Sequence, residues 1–145
     1  MFTHILLPTD GSPLSASAIA QGVRLAKATG ARVTGLYVKP QFHVFTYRTE
    51  MLEDTREQYA KDCDAHAVEY LAVVEKAARE AGVSYATASV SDDHADEAIL
   101  RIADERGCDV IVMASHGRRG VTGVLMGSVT QKVLTHGKIP VLVCH

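Results

Sequence analysis

A chain of 145 residues, 47% hydrophobic and 22% charged, has the length of one domain and enough apolar content to bury a core. Its formal net charge of -2 sets up no global basic field, so neither nucleic acid nor an anionic membrane is an expected partner. Apolar runs such as DVIVMAS and IPVLVC are too short to span a bilayer, and MFTHILLPTDG lacks the basic start and long apolar run of a signal peptide. Both readings favour the cytoplasm.

The chain opens with HILLPTD (4–10), an apolar run without alternation, as expected of a strand buried on both faces. Ser12-Pro13 reads as an N-cap followed by proline at the first helical position, and a stripe through Leu14, Ala18, Val23, Leu25 and Ala26 runs to a stop at Gly30. ARVTGLYVKP (31–40) is a second strand, followed by an irregular connection over 41–49. A long helix, rich in Glu, Lys, Ala and Arg, runs from about Thr49 to Ala81 and stops at Gly82. VSYATASV (83–90) is a third strand. Ser91, Asp92 and Asp93 offer caps for a helix carrying Ala98, Ile99, Ile102 and Ala103, which ends at Gly107. DVIVMAS (109–115) is a fourth strand, and a glycine-rich loop leads to a helix near 128–136. Gly137 and the strand PVLVC (140–144) complete the chain.

Strands and helices that alternate in this way predict an α/β fold: a single-domain, doubly wound, five-stranded parallel sheet with helices on both faces. Cys63, Cys108 and Cys144 are odd in number and widely spaced, which suggests reduced thiols and no disulfide framework. None of the seven histidines pairs with another histidine or a cysteine at ligand spacing (Cys144-His145 is merely adjacent), so no metal site is expected from them.

In open α/β sheets a ligand sits beyond the carboxyl ends of the strands, where strand order reverses. The candidates are Pro8, Thr9 and Asp10 after the first strand, Val38 and Lys39 at the end of the second, and Met113, Ala114, Ser115 and the loop after the fourth. ASHGRRGVTGVLMGSVTQKV (114–133) places Gly117, Gly120, Gly123 and Gly127 within eleven residues. Glycines let backbone N–H groups approach an anion without a Cβ in the way, and Gly127-Ser128 opens a helix whose first N–H groups face outward. Together they can cradle a phosphate; the plainer reading is a mobile loop with tight turns. No lysine precedes Ser128, so the loop is not a Walker A motif. Asp10 can accept hydrogen bonds from adenine or ribose, hold a metal ion, or only close an Asx-type turn. Ser128 can cap the helix and also meet a phosphate. Arg118 and Arg119 can pair with phosphates or sit in water at the loop tip. His116 has no orienting carboxylate in the sequence, and no residue is assigned as catalytic.

These residues together resemble the universal stress protein family, along the whole chain from ILLPTDGS to IPVLVCH. The family's fingerprint, Gly-x2-Gly-x9-Gly-Ser/Thr after the fourth strand, falls on Ala114, Gly117, Gly127 and Ser128. GSVTQKVL and IPVLV follow as the pattern expects. The resemblance implies a Rossmann-like, adenine nucleotide α-hydrolase-like domain over 1–145. It also implies an ATP site, with Mg2+ accompanying the phosphates. Asp10 would lie near the adenosine with Pro8 and Thr9 beside it, and Val38 would lie against the base. Met113 and Ala114 would flank the nucleoside, and Gly117, Gly127, Ser128 and Val129 would hold the phosphates. It further implies a homodimer through the last strand, 140–144. Two departures bear on the site. Ala114 stands where the fingerprint begins with glycine, and Asp93 and Ala95 stand where a glycine and a proline are expected.

The leading expectation is an ATP-binding regulatory or stress-protective module. The alternatives are an interaction protein of the same fold that needs no nucleotide, and an enzyme such as a slow ATPase. No nucleophile-base pair or water activator is visible, so at most slow ATP hydrolysis is expected.

Overall fold

The computed structural model describes residues 1–41, 49–117 and 126–145, with the backbone alone described over 49–54. The elements are β1 (His4–Pro8), α1 (Pro13–Thr29), β2 (Arg32–Lys39), α2 (Thr49–Ala81), β3 (Tyr85–Ser91), α3 (Ala95–Glu105), β4 (Val110–Ala114), α4 (Ser128–His136) and β5 (Val141–Cys144). All five strands join one parallel sheet in the order β3-β2-β1-β4-β5. This is the predicted α/β architecture. The first three strands progress in one direction and the last two in the other, so strand order reverses between β1 and β4.

Alternation along the strands divides the core between two layers. Ile5, Leu7, Val33, Val110 and Val112 face Ile19, Val23 and Ala26 of α1 and Val74 and Ala78 of α2. Leu6, Leu36, Ile111 and Met113 face Ile99, Ile102 and Ala103 of α3 and Val133 of α4. The inner strands β1 and β4 are buried along their whole lengths, which is why their sequences are apolar without alternation. Helix α2 crosses β2 closely: a Cβ on Gly35 would stand 2.9 Å from a Val74 methyl, so the helix seats where the strand lacks a side chain.

Three helix stops fall where the sequence placed them, at Gly30, Gly82 and Gly107, all with positive φ. Ser12 caps α1 and accepts from the Ser15 amide at 3.2 Å. The cap of α3 differs from expectation. The N-cap position is His94, with no side-chain cap hydrogen bond, because Ser91 still belongs to β3 and Asp92 and Asp93 serve the loop. Asp92 accepts from the His94 amide at 2.9 Å, and Asp93 from the Gln41 amide at 3.0 Å. The last strand starts at Val141; Pro140 has no N–H to pair and contributes only its carbonyl, to Ile111. Of the expected connection at 41–49, residues 42–48 lie outside the described residues, as do Arg118, Arg119, Gly120 and Gly123. No helix among the described residues is long and apolar enough to cross a membrane.

Candidate functional site

The reversal of strand order sets the loops leaving β1 and β4 side by side. Pro8 is buried at the end of β1. Thr9, also buried, donates its amide to the Leu36 carbonyl at 2.9 Å and accepts from the Gly11 amide at 3.1 Å. Asp10 follows. Its Oδ1 accepts from the Ser12 amide at 2.9 Å and from the Ser15 hydroxyl at 2.8 Å. Asp10 is therefore the Asx-type anchor of the bend into α1 as well as a carboxylate beside the cleft. Its Oδ2 lies on the β4 side, against Gly117, where any Cβ would collide with it.

From the other side, α4 is tied back onto β4. The Gly127 amide donates to the Ser115 carbonyl at 2.6 Å, and the Thr130 hydroxyl to the Ala114 carbonyl at 2.9 Å. The buried Ser115 donates its own amide to the Cys144 carbonyl at 2.8 Å, which joins β5 to the same corner. Its hydroxyl and His116 Nδ1 are 3.0 Å apart. A Cβ on Gly127 would stand 3.2 Å from the Ser115 oxygen and 3.5 Å from His116 Cα, so glycine there is what lets the helix start so near the strand end.

The N-cap of α4 is Gly127 and not Ser128, which is the exposed first helical residue. Gly127 has φ -71°, an ordinary extended conformation that any residue adopts, so its importance lies in space and not in backbone strain. Gly127 has no side chain with which to cap the helix, and the first intrahelical bond runs from the Gln131 amide to the Gly127 carbonyl at 3.0 Å. The amides of Ser128, Val129 and Thr130 precede that bond, at the positive end of a helix that starts beside Gly117.

The remaining candidates form walls. Val38 and Val129 are half-buried against the α3/α4 core, and the Met113 side chain is buried in it. Ala114 is buried, and its carbonyl holds Thr130. Asp93, bonded to the Gln41 amide, stands at the exit of β2. Sequence reasoning named Ser115 only as a residue after the fourth strand and missed Ser15 and Thr130; all three hold the corner together. Ser15 lies three residues after an expected cap, the spacing of a capping interaction; Thr130 carries no local signal. Among the described residues no group of three or more His, Cys, Asp or Glu stands close enough to hold a metal ion.

A carboxylate, two glycines that allow close approach and the first amides of a helix meet at the switch point of a doubly wound sheet, where α/β proteins hold their ligands. The chain belongs to the universal stress protein family, whose model matches residues 1–145. It is 32% identical over 143 residues to universal stress protein MJ0531 of Methanocaldococcus jannaschii, covering 99% of this chain and 82% of that one. It is 32% identical over 151 residues to universal stress protein YxiE of Bacillus subtilis, covering 99% of each. Among solved structures, that of protein MJ0577 superposes with a TM-score of 0.80 at 26% identity, over 99% of this chain and 96% of that one. The fold is shared with a universal stress protein in complex with cAMP (TM-score 0.72, 24% identity, 99% of this chain and 97% of that one). It is shared too with an Archaeoglobus fulgidus universal stress protein in complex with dAMP (TM-score 0.65, 17% identity, 100% of this chain and 98% of that one).

Proposed function

We propose that this chain is an adenine-nucleotide-binding module that takes ATP between the carboxyl ends of β1 and β4. The observation that carries the reading is the pairing of Gly117 and Gly127, whose missing side chains let Asp10 and the first amides of α4 come together at the switch point. The family membership and the two fold relatives solved with cAMP and dAMP support it. Asp10 accepts hydrogen bonds from the nucleoside, with Pro8 and Thr9 shaping the turn and Val38 offering an apolar wall to the base. Met113 and Ala114 end the strand beneath the nucleoside. The amides at Gly117, Gly127, Ser128 and Val129 face the phosphates. Magnesium would come as the companion of the phosphates, held by their oxygens, since the described residues offer no carboxylate cluster for it.

The chain acts as a regulatory or stress-protective module in the cytoplasm, where its three free cysteines stay reduced. Burial pushes the Cys108 thiol up to about 11, so it remains protonated and unreactive. Hydrolysis is at most slow: the phosphates are positioned, but the described residues supply no general base for an attacking water. The dimer forms through β5. Of the two sheet edges, β3 reads YATASVS and β5 reads VLVC, and Leu142 of β5 is 46% exposed. An apolar edge with unpaired backbone groups pairs with a second copy more readily than a polar one.

Mass spectrometry of the purified protein for retained nucleotide, with a thermal-shift scan of ATP, AMP and no ligand, tests the reading. Retained nucleotide or a clear upward shift is expected. Light scattering at working concentration should return a dimer; a monomer removes the β5 contact. A protein that carries no nucleotide and is shifted by neither ligand is an interaction protein of this fold.

A further inference from the structure

At the opposite end of the sheet, beneath the amino ends of the strands, lies a second cleft of about 280 Å³. Its lining comes from four separate elements or their flanks: His4 of β1, Arg32 and Thr34 of β2, Ser84 and Tyr85 at the start of β3, and Arg106 just past α3. Parallel register assembles it, setting His4 opposite Arg32 and Thr34 opposite Ala86.

The floor is polar and ordered. His4 and Thr34 are 5% and 1% exposed, and His4 Nε2 is 2.7 Å from Thr34 Oγ1. His4 Nδ1 is 3.0 Å from the Arg106 carbonyl oxygen, which can only accept, so Nδ1 carries the proton. In the neutral ring Nε2 must then accept from the Thr34 hydroxyl. That geometry answers the negative end of α3 with an N–H group. The rim is basic. Arg32 and Arg106 are both exposed, and no ion pair is made by either among the described residues. The nearby carboxylate of Asp109 is engaged by the amides of Thr3 and His4 and by the Thr3 hydroxyl. Two guanidinium groups over a hydroxyl-bearing floor, with Ser84 at the side, form a fork suited to a tetrahedral oxyanion.

We infer that this cleft is a second ligand site, which takes a phosphate-type dianion, either free phosphate or the terminal group of a phosphomonoester, between Arg32 and Arg106. The site is separate from the glycine cradle and does not depend on the nucleotide reading. The charged groups that face His4 are Arg32, Arg106 and Asp109. Burial and the two arginines hold its imidazole below the ordinary 6.5, against the opposing pull of the Arg106 carbonyl and of Asp109. A bound dianion offsets the arginines and makes the imidazolium more favourable. The protonated ring donates from Nε2 to Thr34, which turns the Thr34 hydroxyl hydrogen toward the ligand.

The test is an NMR titration of the full chain with inorganic phosphate at constant ionic strength, alongside AMP. Saturable shifts of the Thr34 and Ser84 amides are expected, with a rise in the His4 titration midpoint. Arg32→Gln/Arg106→Gln should weaken phosphate, read at the Thr34 and Ser84 amides, on the order of tenfold or more. AMP that moves Thr34 and Ser84 extends the ligand class to phosphomonoesters; AMP that moves only the carboxyl-end loops restricts it to the free anion. If the double variant loses its fold by circular dichroism, each single arginine variant carries the same comparison. Shifts confined to the carboxyl-end loops in phosphate, or a folded arginine variant that binds phosphate as wild type does, overturn the site.

Discussion

The two proposed sites, at opposite ends of the sheet, would receive anions in opposite ways. At the carboxyl ends the space comes from absent side chains: Gly117 and Gly127 remove the Cβ atoms that would strike Asp10 and the Ser115 carbonyl. The donors there are backbone amides at the start of α4. At the amino ends the cleft is built from side chains, with Arg32 and Arg106 above His4 and Thr34. Backbone donors are fixed by the fold and are lost only by crowding. Side-chain donors are lost by truncation. The same kind of ligand should therefore respond to different substitutions at the two ends.

The largest effect is expected from Gly127→Val. The added Cβ would meet the Ser115 oxygen at 3.2 Å, and its two methyl groups would crowd the amides behind it. Losing two or more amide contacts to a charged phosphate weakens ATP on the order of a hundredfold, and adenosine much less. Paired calorimetric titrations of a folded variant check this, and equal losses for both ligands would show that the residue shapes the nucleoside pocket instead.

Asp10→Ala comes next. It should weaken ATP and AMP alike, by roughly ten- to a hundredfold, because both carry the adenosine. It also removes the acceptor for the Ser12 amide and the Ser15 hydroxyl, so a loss of about 1–3 kcal/mol in denaturant unfolding should accompany it. Unchanged AMP affinity would take Asp10 out of the site and leave it as the anchor of α1.

A smaller effect follows from pH at the amino end. His4 titrates below 6.5 in the folded chain, so between 6.5 and that lowered value the unfolded chain binds the extra proton. Its contribution to stability is present above 6.5 and is lost as pH falls through that window. Asp109 acts in a lower window. Burial pushes its carboxyl up, but hydrogen bonds from His4 and Thr3 outweigh this and hold it below 3.8, so its contribution is lost only in stronger acid. Melting temperatures from pH 7 to 5 should fall, and His4→Gln should flatten that fall; an equally steep fall in the variant would place the sensitive group elsewhere.

Ser128→Ala should do least. Because Gly127 and not Ser128 is the N-cap, no cap is lost and the amides remain. ATP affinity should change by no more than a few-fold, with stability unaltered within about 0.5 kcal/mol by thermal and denaturant unfolding. A larger loss of ATP alone would make the hydroxyl a direct phosphate ligand.

The contrast between the ends also explains what the sequence could reveal. The carboxyl-end site is local in the chain: a strand end followed by aspartate, and a strand end followed by glycines and a helix. Local chemistry of that kind is legible, as were the helix stops at Gly30, Gly82 and Gly107. What escaped was set by geometry between segments. Ser128 looked like a cap because its residue type suits one, but the bond from the Gly127 amide to the Ser115 carbonyl sets Gly127 at the N-cap. Thr130 looked like any helical threonine, and only the packing of α4 on β4 aims it at the Ala114 carbonyl. The amino-end cleft joins residues 4, 32, 34, 84, 85 and 106, which share no motif and meet only through strand register.

The central claim, that the cleared space between Asp10 and α4 holds an adenine nucleotide, is tested most directly by calorimetric titration of the wild-type chain with ATP in the presence of magnesium, followed by adenosine under the same conditions. The account predicts one saturable ATP site per chain, and binding at least tenfold tighter than that of adenosine because the glycine cradle meets the phosphates. No saturable heat with ATP, or adenosine bound as tightly as ATP, would contradict it.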